Sequence, residues 1–172
     1  MEIWDLYDED RVKVNETMVR GEDIPEGLYH LVVHVCIFNC QGEMLIQQRQ
    51  PFKSGWGNMW DVTVGGSAVS GDTSQVAAER EVAEEIGYEL SLAGVRPALT
   101  INFDDGFDDF YLVQRDLDMT TLKLQYEEVQ AVKWASKDEI LKMIEEETFI
   151  PYHPSLIDLL FFMRNQKGAH MR

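Results

Sequence analysis

The chain predicts a layered α+β or α/β domain, and three observations carry that expectation. Strand-like segments outnumber helical ones, and the helical segments carry apolar sides able to cover a sheet. At 172 residues, with 45% apolar and 27% charged residues, there is enough apolar material for one substantial core.

Residues 1–28 are polar and irregular, and Pro25 and Gly27 close the segment. They predict an N-terminal extension with a short strand at Arg11–Val14, ahead of a domain over 29–167 and a tail over 168–172. Tyr29–Phe38, YHLVVHVCIF, is rich in β-branched and aromatic residues and predicts a strand. Asn39–Gly42 is the turn, and Glu43–Arg49 is the returning strand. Gln50–Met59 is a loop carrying Pro51, Gly55 and Gly57, after which Trp60–Val64 predicts a short strand running into Gly65-Gly66. Thr73–Ile86 has helical periodicity, with Val76, Ala83 and Ile86 on one side, Asp72 or Thr73 as cap and Gly87 as stop. Ala98–Phe103 and Phe110–Arg115 predict a hairpin around the acidic turn DDGFDD. Val129–Trp134 predicts a further strand, and Lys137–Glu146 and Pro154–Arg164 predict two helices.

The bulk charge narrows the function classes. A net charge of −16 argues against binding a nucleic-acid polymer, whose phosphates need basic surface. It is compatible with a small phosphorylated substrate held through divalent cations and a few local Lys or Arg residues. No apolar run is long enough for a membrane span, and the acidic start MEIWDLYDED is unlike a secretory signal. The cytoplasm is therefore the expected compartment, where Cys36 and Cys40 read as two reduced, mostly buried thiols.

The chemistry concentrates in REVAEEIG. At 100° per residue, Glu81, Glu84 and Glu85 fall within about 100° of one another on a helix, while the apolar residues point elsewhere. Like charges at this spacing cost a few tenths of a kcal/mol per pair, so a neutralising partner is expected. Upstream stands GGSAVSGDTSQVAAER, a Gly-rich loop entering the helix. The combined spacing is Gly66, five residues, Asp72, seven residues, Arg80-Glu81-Val82, one residue, Glu84-Glu85, one residue, Gly87.

This pattern closely resembles the Nudix box, the signature of a superfamily of diphosphate hydrolases. It departs from the usual box at Asp72, where Glu is usual, and at Tyr88, where an aliphatic residue is usual. The resemblance implies an α/β/α sandwich, a mixed sheet flanked by helices, with the box helix at the mouth of a cleft. It implies Mg²⁺ or Mn²⁺ held by Glu81 and Glu85, with Glu84 as a third ligand and the Gly65 carbonyl as a backbone ligand. Arg80 then orients the glutamates by ion pairing. For a further base or ligand from a distant loop the candidates are Glu127 and Glu128, which stands in the catalytic set, and Asp108 and Asp109. Arg49 and Lys53 are the candidate phosphate contacts, against a reading as surface charge. Trp56 and Trp60 read as structural.

Outside the box the chain resembles a narrower set, isopentenyl-diphosphate isomerase and its hydrolase-like relatives, through WDLYD and GLYHLVVHVCIFNCQGEMLIQQRQPFKSGWGNMWDVTVGG. The isomerase places a cysteine beside Gly-His just after the strand entering the box. Here those positions read Gly65-Gly66-Ser67. His30 matches a remaining isomerase histidine, and His34 shares its strand face, which raises a two-histidine metal site against a structural reading. With the cysteine gone and the glutamates kept, the expected activity is Mg²⁺-dependent cleavage of a phosphoanhydride. The expected substrate is a nucleoside diphosphate linked to another group, or a similar small diphosphate. Isomerase-like activity and a non-catalytic Nudix ligand-binding module are the alternatives. Homodimerisation, common in the superfamily, is left open.

Overall fold

The computed structural model describes residues 1–166 and 168–170. The expected boundary at 167 and the end of the tail at 171–172 lie outside the described residues. Among the described residues nine strands and three α-helices follow in the order β1 (Ile3–Tyr7), β2 (Lys13–Val19), β3 (His30–Phe38), β4 (Met44–Arg49), β5 (Trp60–Asp61), β6 (Val64–Ser67), α1 (Ser74–Ile86), β7 (Leu99–Phe103), β8 (Gly106–Gln114), β9 (Val129–Ala135), α2 (Lys137–Glu145) and α3 (Pro154–Met163). Seven strands form one mixed sheet of order β5-β4-β3-β8-β7, with β6 on β3 and β9 on β4. The class is α+β, a mixed sheet flanked by helices, as the sequence predicts.

β3 is the spine. Its residues alternate between two buried faces, as a period of two requires. Leu31, Val33, Val35 and Ile37 face one core, which Ala77, Ala78, Val82 and Ile86 of α1 complete. Cys36 and Phe38 face a second core, completed by Ile140 and Met143 of α2 and Ile157, Leu160 and Phe161 of α3. Fully burying Val82 and Ile86 contributes about 1.5–3 kcal/mol each, so these two anchor α1 while Ala77 and Ala78 complete its buried face.

One edge of β3 pairs with β8 in parallel along its whole length. The other edge is divided. Val32–Val35 pair with β6, whereas only Phe38 pairs with Met44 of β4. The sheet therefore splays between β4 and β6. The buried Thr63 hydroxyl spans the split, accepting from Ile37 N at 2.9 Å and donating to Leu45 O at 2.5 Å.

Five expectations need correction. Val76 and Ala83 are exposed, because the helix turns Ala77, Ala78, Val82 and Ile86 inward. Trp60–Val64 is not one strand; it breaks at Val62-Thr63, where Thr63 leaves the ladder to bridge the split. The DDGFDD turn is narrower than expected, since Asp108 and Asp109 are strand residues of β8. Asp109 is buried despite its charge because Arg11, Ser74 and Thr100 all donate to it. Residues 1–28 are not irregular: β1 and β2 pair antiparallel as a hairpin, docked by Tyr7 N and O bonding to Tyr29 O and N at 2.9 Å. Cys40 is also exposed, while Cys36 is buried, and both are free thiols.

The Arg11–Asp109 ion pair fixes the hairpin to β8. Removing one member of a fully buried pair costs about 3–5 kcal/mol. Arg11 is one-third exposed, so Arg11→Met is expected to destabilise the protein by about 2–3 kcal/mol. Urea unfolding checks this, and an unchanged midpoint counts against the pair as an anchor.

Candidate active site

The site begins where β6 runs through Gly65-Gly66 into α1. Thr73 caps the helix, its hydroxyl accepting from Val76 N at 3.3 Å, and Gly87 ends it in the left-handed region at φ 67°. A Cβ at Gly87 would press on the backbone of Lys123, so the stop also admits the loop before β9. Packing of Val82 and Ile86 fixes the rotation of the helix and thereby sorts the three glutamates. Glu85 turns inward and is 4% exposed, Glu81 is half-buried and Glu84 is exposed. Glu81 lies so close to β6 that a Cβ at Gly66 would overlap its carboxylate. This is the physical reason for glycine there.

Arg80 is the hub of the cluster. Its Nη1 donates to Glu81 at 2.8 Å and to Glu84 at 3.3 Å. Its Nη2 donates to Asp72 at 3.0 Å and to the Ser67 carbonyl at 3.1 Å. Asp72 reaches the guanidinium despite being one methylene shorter than Glu. Burial works against the Arg80 charge, but Glu81 and Asp72 outweigh it and hold the group firmly protonated. Glu81 is nonetheless raised above the ordinary carboxylate range, chiefly by burial, with Arg80 opposing.

Glu85 has a different environment. Among the described residues it makes no ion pair, and its hydrogen bond is from Gln47 Nε2 at 2.9 Å. Burial first, then the neighbouring Glu81, push its carboxyl well above the ordinary range; Glu128 and Asp61 add to the repulsion. Gln47 is itself buried, and its Oε1 has no hydrogen-bond partner. Asp61 at the end of β5 is a third buried acid, raised by burial and eased by His34 and by the Tyr152 hydroxyl donating at 2.9 Å.

Other predicted residues fall as follows. Lys53 and Glu128 pair with each other at 2.5 Å. Arg49, at the end of β4, donates from Nε to the Gly55 carbonyl at 3.2 Å. Glu127 is exposed. Asp108 binds His34 Nε2 at 3.0 Å on the sheet face opposite α1, and Asp109 is engaged with Arg11. His30 stacks on Trp4 with centroids 4.4 Å apart, and His34 stacks on Phe110 with centroids 4.5 Å apart. Trp60 is half-buried with Lys133 Nζ 4.8 Å over its ring, whereas Trp56 is exposed and does not serve the core.

Gln47, Asp61 and Tyr152 are site neighbours that the sequence reading missed. Gln47 carried a signal, since it occupies the inward phase of β4 after Leu45 and a polar residue there needs a partner. Asp61 and Tyr152 lie 91 residues apart and carried none.

Among the described residues no three His, Cys, Asp or Glu side chains already converge at ligand distance. The donors nevertheless suit a hard divalent cation. They are carboxylate oxygens with a buried excess of negative charge, beside an unpaired amide oxygen on Gln47.

Fold and box spacing together define a domain of the Nudix class. The NUDIX domain profile matches residues 28–159, and the chain belongs to that family. It is 44% identical over 170 residues to an uncharacterized Nudix hydrolase of Listeria monocytogenes, covering 99% of both chains. A solved structure from Deinococcus radiodurans is similar at a TM-score of 0.72 and 26% identity, over 92% of this chain and 97% of that one. An isopentenyl-diphosphate Delta-isomerase of Streptomyces coelicolor is 26% identical over 161 residues, covering 90% of this chain and 81% of that one. Among the described residues no helix is long and apolar enough to cross a membrane.

The raised Glu85 sets a pH dependence. A carboxyl whose folded value lies above its unfolded value contributes fully below the unfolded value, and that contribution is lost as pH rises through the folded one. Above that folded value the metal-free protein bears a buried charge. Glu85→Gln is expected to raise Tm by about 2–8 °C without metal, with a larger gain at pH 8 than at pH 5. Thermal melts in EDTA at the two pH values check it.

Proposed function

We propose that the protein is a Mg²⁺- or Mn²⁺-dependent hydrolase of a phosphoanhydride bond. Its substrate is a nucleoside diphosphate linked to another group, or a similar small diphosphate. The observation that carries this reading is the inward-turned Glu85. It lies beside Glu81, among the described residues it makes no ion pair, and its hydrogen bond is from Gln47. A buried carboxylate pair without enough cations is unfavourable in itself and is relieved by a divalent ion.

In this reading Glu81, Glu85 and the Gly65 carbonyl would hold the metal, with Glu84 as a third side-chain ligand. A divalent ion held there would supply polarisation of a phosphoryl oxygen and a lowered pKa for a bound water. The chain's own groups do the positioning. Arg80 holds Glu81 and Glu84 in place, and Gln47 fixes the Glu85 carboxylate. Glu128 accepts the proton as water attacks phosphorus and the bridging P–O bond breaks. Lys53, paired with Glu128 at 2.5 Å, shifts toward the phosphates with Arg49. The net charge of −16 supports a small substrate over a polynucleotide.

Isomerase-like chemistry is the second reading, favoured by the similarity to the isomerase sequence. It is opposed by the local packing. A Cβ at Gly65, where the isomerase has its cysteine, would sit 2.9 Å from His34 Nδ1, so the His34 ring takes the space a side chain would use.

The test is a hydrolysis panel of nucleoside diphosphates, sugar nucleotides and dinucleoside polyphosphates, with isopentenyl diphosphate followed by proton NMR. Glu81→Gln and Glu85→Gln are each expected to lose at least about a hundredfold in kcat, and EDTA is expected to abolish turnover until Mg²⁺ is restored. Full activity in Glu85→Gln, or double-bond migration without hydrolysis, overturns the proposal.

A further inference from the structure

The N-terminal hairpin lies ahead of the matched family region, which begins at residue 28, yet it grips the loop that carries the box. The contact centres on Asp5 of β1, a carboxylate only 6% exposed. Its Oδ1 accepts from the Ser70 hydroxyl at 2.8 Å, and its Oδ2 accepts from the Gly71 backbone N–H at 2.8 Å. Lys13 Nζ from β2 lies 2.5 Å from Oδ2. One residue pair further, Ser70 N donates to the Ile3 carbonyl at 2.7 Å. Burial pushes the Asp5 carboxyl up, but the bonds from Gly71, Lys13 and Ser70 outweigh it and hold the group ionised.

The grip continues into the site through adjacent bonds. Residues 69–72 close on themselves, with Asp72 N donating to Val69 O at 3.0 Å and Val69 N to Asp72 Oδ2 at 3.3 Å. That same Asp72 oxygen receives Arg80 Nε at 3.2 Å and Nη2 at 3.0 Å, and Arg80 Nη1 then holds Glu81 and Glu84. The path from Lys13 to Glu81 is an unbroken alternation of cations, carboxylates and backbone dipoles. Each group is oriented by the one before it.

We propose that Asp5 is a positioning residue for the box glutamates: by clamping Ser70 and Gly71 it fixes Asp72, and through Asp72 the Arg80 guanidinium that orients Glu81 and Glu84. This rests on the hydrolase reading for its consequence, a preorganised metal site, but not for the clamp itself. Outer groups that orient metal ligands typically change metal affinity by 10–100-fold. Asp5 acts one step further out, so the lower end applies.

The experiment compares wild type, Asp5→Ala, Asp5→Asn, Ser70→Ala and, as control, the exposed Glu16→Gln of β2. Mn²⁺ binding is read by electron paramagnetic resonance, and hydrogen exchange of residues 69–72 is read in EDTA. Asp5→Ala is expected to weaken Mn²⁺ binding about tenfold and to speed exchange at Gly71 and Asp72. Asp5→Asn, which keeps one acceptor oxygen, falls between. Ser70→Ala shifts the same way by a smaller factor, and it keeps the test alive should Asp5→Ala fail to fold. Glu16→Gln matches wild type. Hydrolysis by Asp5→Ala recovers toward the wild-type rate at saturating metal. A lowered Tm with Mn²⁺ affinity and loop exchange unchanged makes Asp5 merely structural and overturns the proposal. Absence of Mn²⁺ binding and hydrolysis in wild type defeats the hydrolase reading instead, and the loop exchange then decides the clamp alone.

Discussion

Everything around the candidate site depends on one guanidinium. Arg80 joins Asp72 from the loop, Ser67 O from the strand, and Glu81 and Glu84 from its own helix. A planar group with five donors can bind several acceptors in fixed directions, which an ammonium cannot. Strand, loop and helix meet at this point, so the orientation of the glutamates is a property of the whole junction. The N-terminal hairpin enters the same network from outside through Asp5. A feature that reads in sequence as an extension thus belongs physically to the box.

The second constraint is charge. Glu81, Glu85 and Asp61 are each raised by burial, and Arg80 relieves Glu81 without reaching the inward-turned Glu85. Buried like charges cost stability unless a cation arrives. The fold accepts that cost where the sheet splays between β4 and β6, because the split lets carboxylates from β5 and α1 approach one another. Thr63 keeps the split from unravelling by linking Ile37 and Leu45 through a single buried hydroxyl. In the proposed reading, stability and the demand for a metal are set against each other in the same few residues.

The relation to the isomerase is also a matter of packing. Gly65 lacks the side chain on which carbon proton transfer is expected to depend, and the His34 ring fills the adjacent space, held by Asp108 and stacked on Phe110 with centroids 4.5 Å apart. Restoring a cysteine would require that ring to leave.

The sequence by itself determined most of the central strands, the three helices and the box. Local periodicity identified β3, β4, β9 and the three helices, and the spacing from Gly66 to Gly87 identified the loop and helix, because those signals are carried by near neighbours along the chain. The tertiary structure alone decided which charges are satisfied and by what. That Asp109 is buried follows from Arg11, that Lys53 faces Glu128 follows from the loop after β4 bonding the one before β9 through Gln50 N and Glu128 O, and that Glu85 meets Gln47 follows from the register of β4. The helix rotation was likewise misjudged from sequence, since only the sheet beneath α1 decides that Ala77 and Ala78 outrank Val76 for burial. Periodicity reports which residues share a face; the partner that face finds is a long-range fact, fixed only when strands distant in sequence come together.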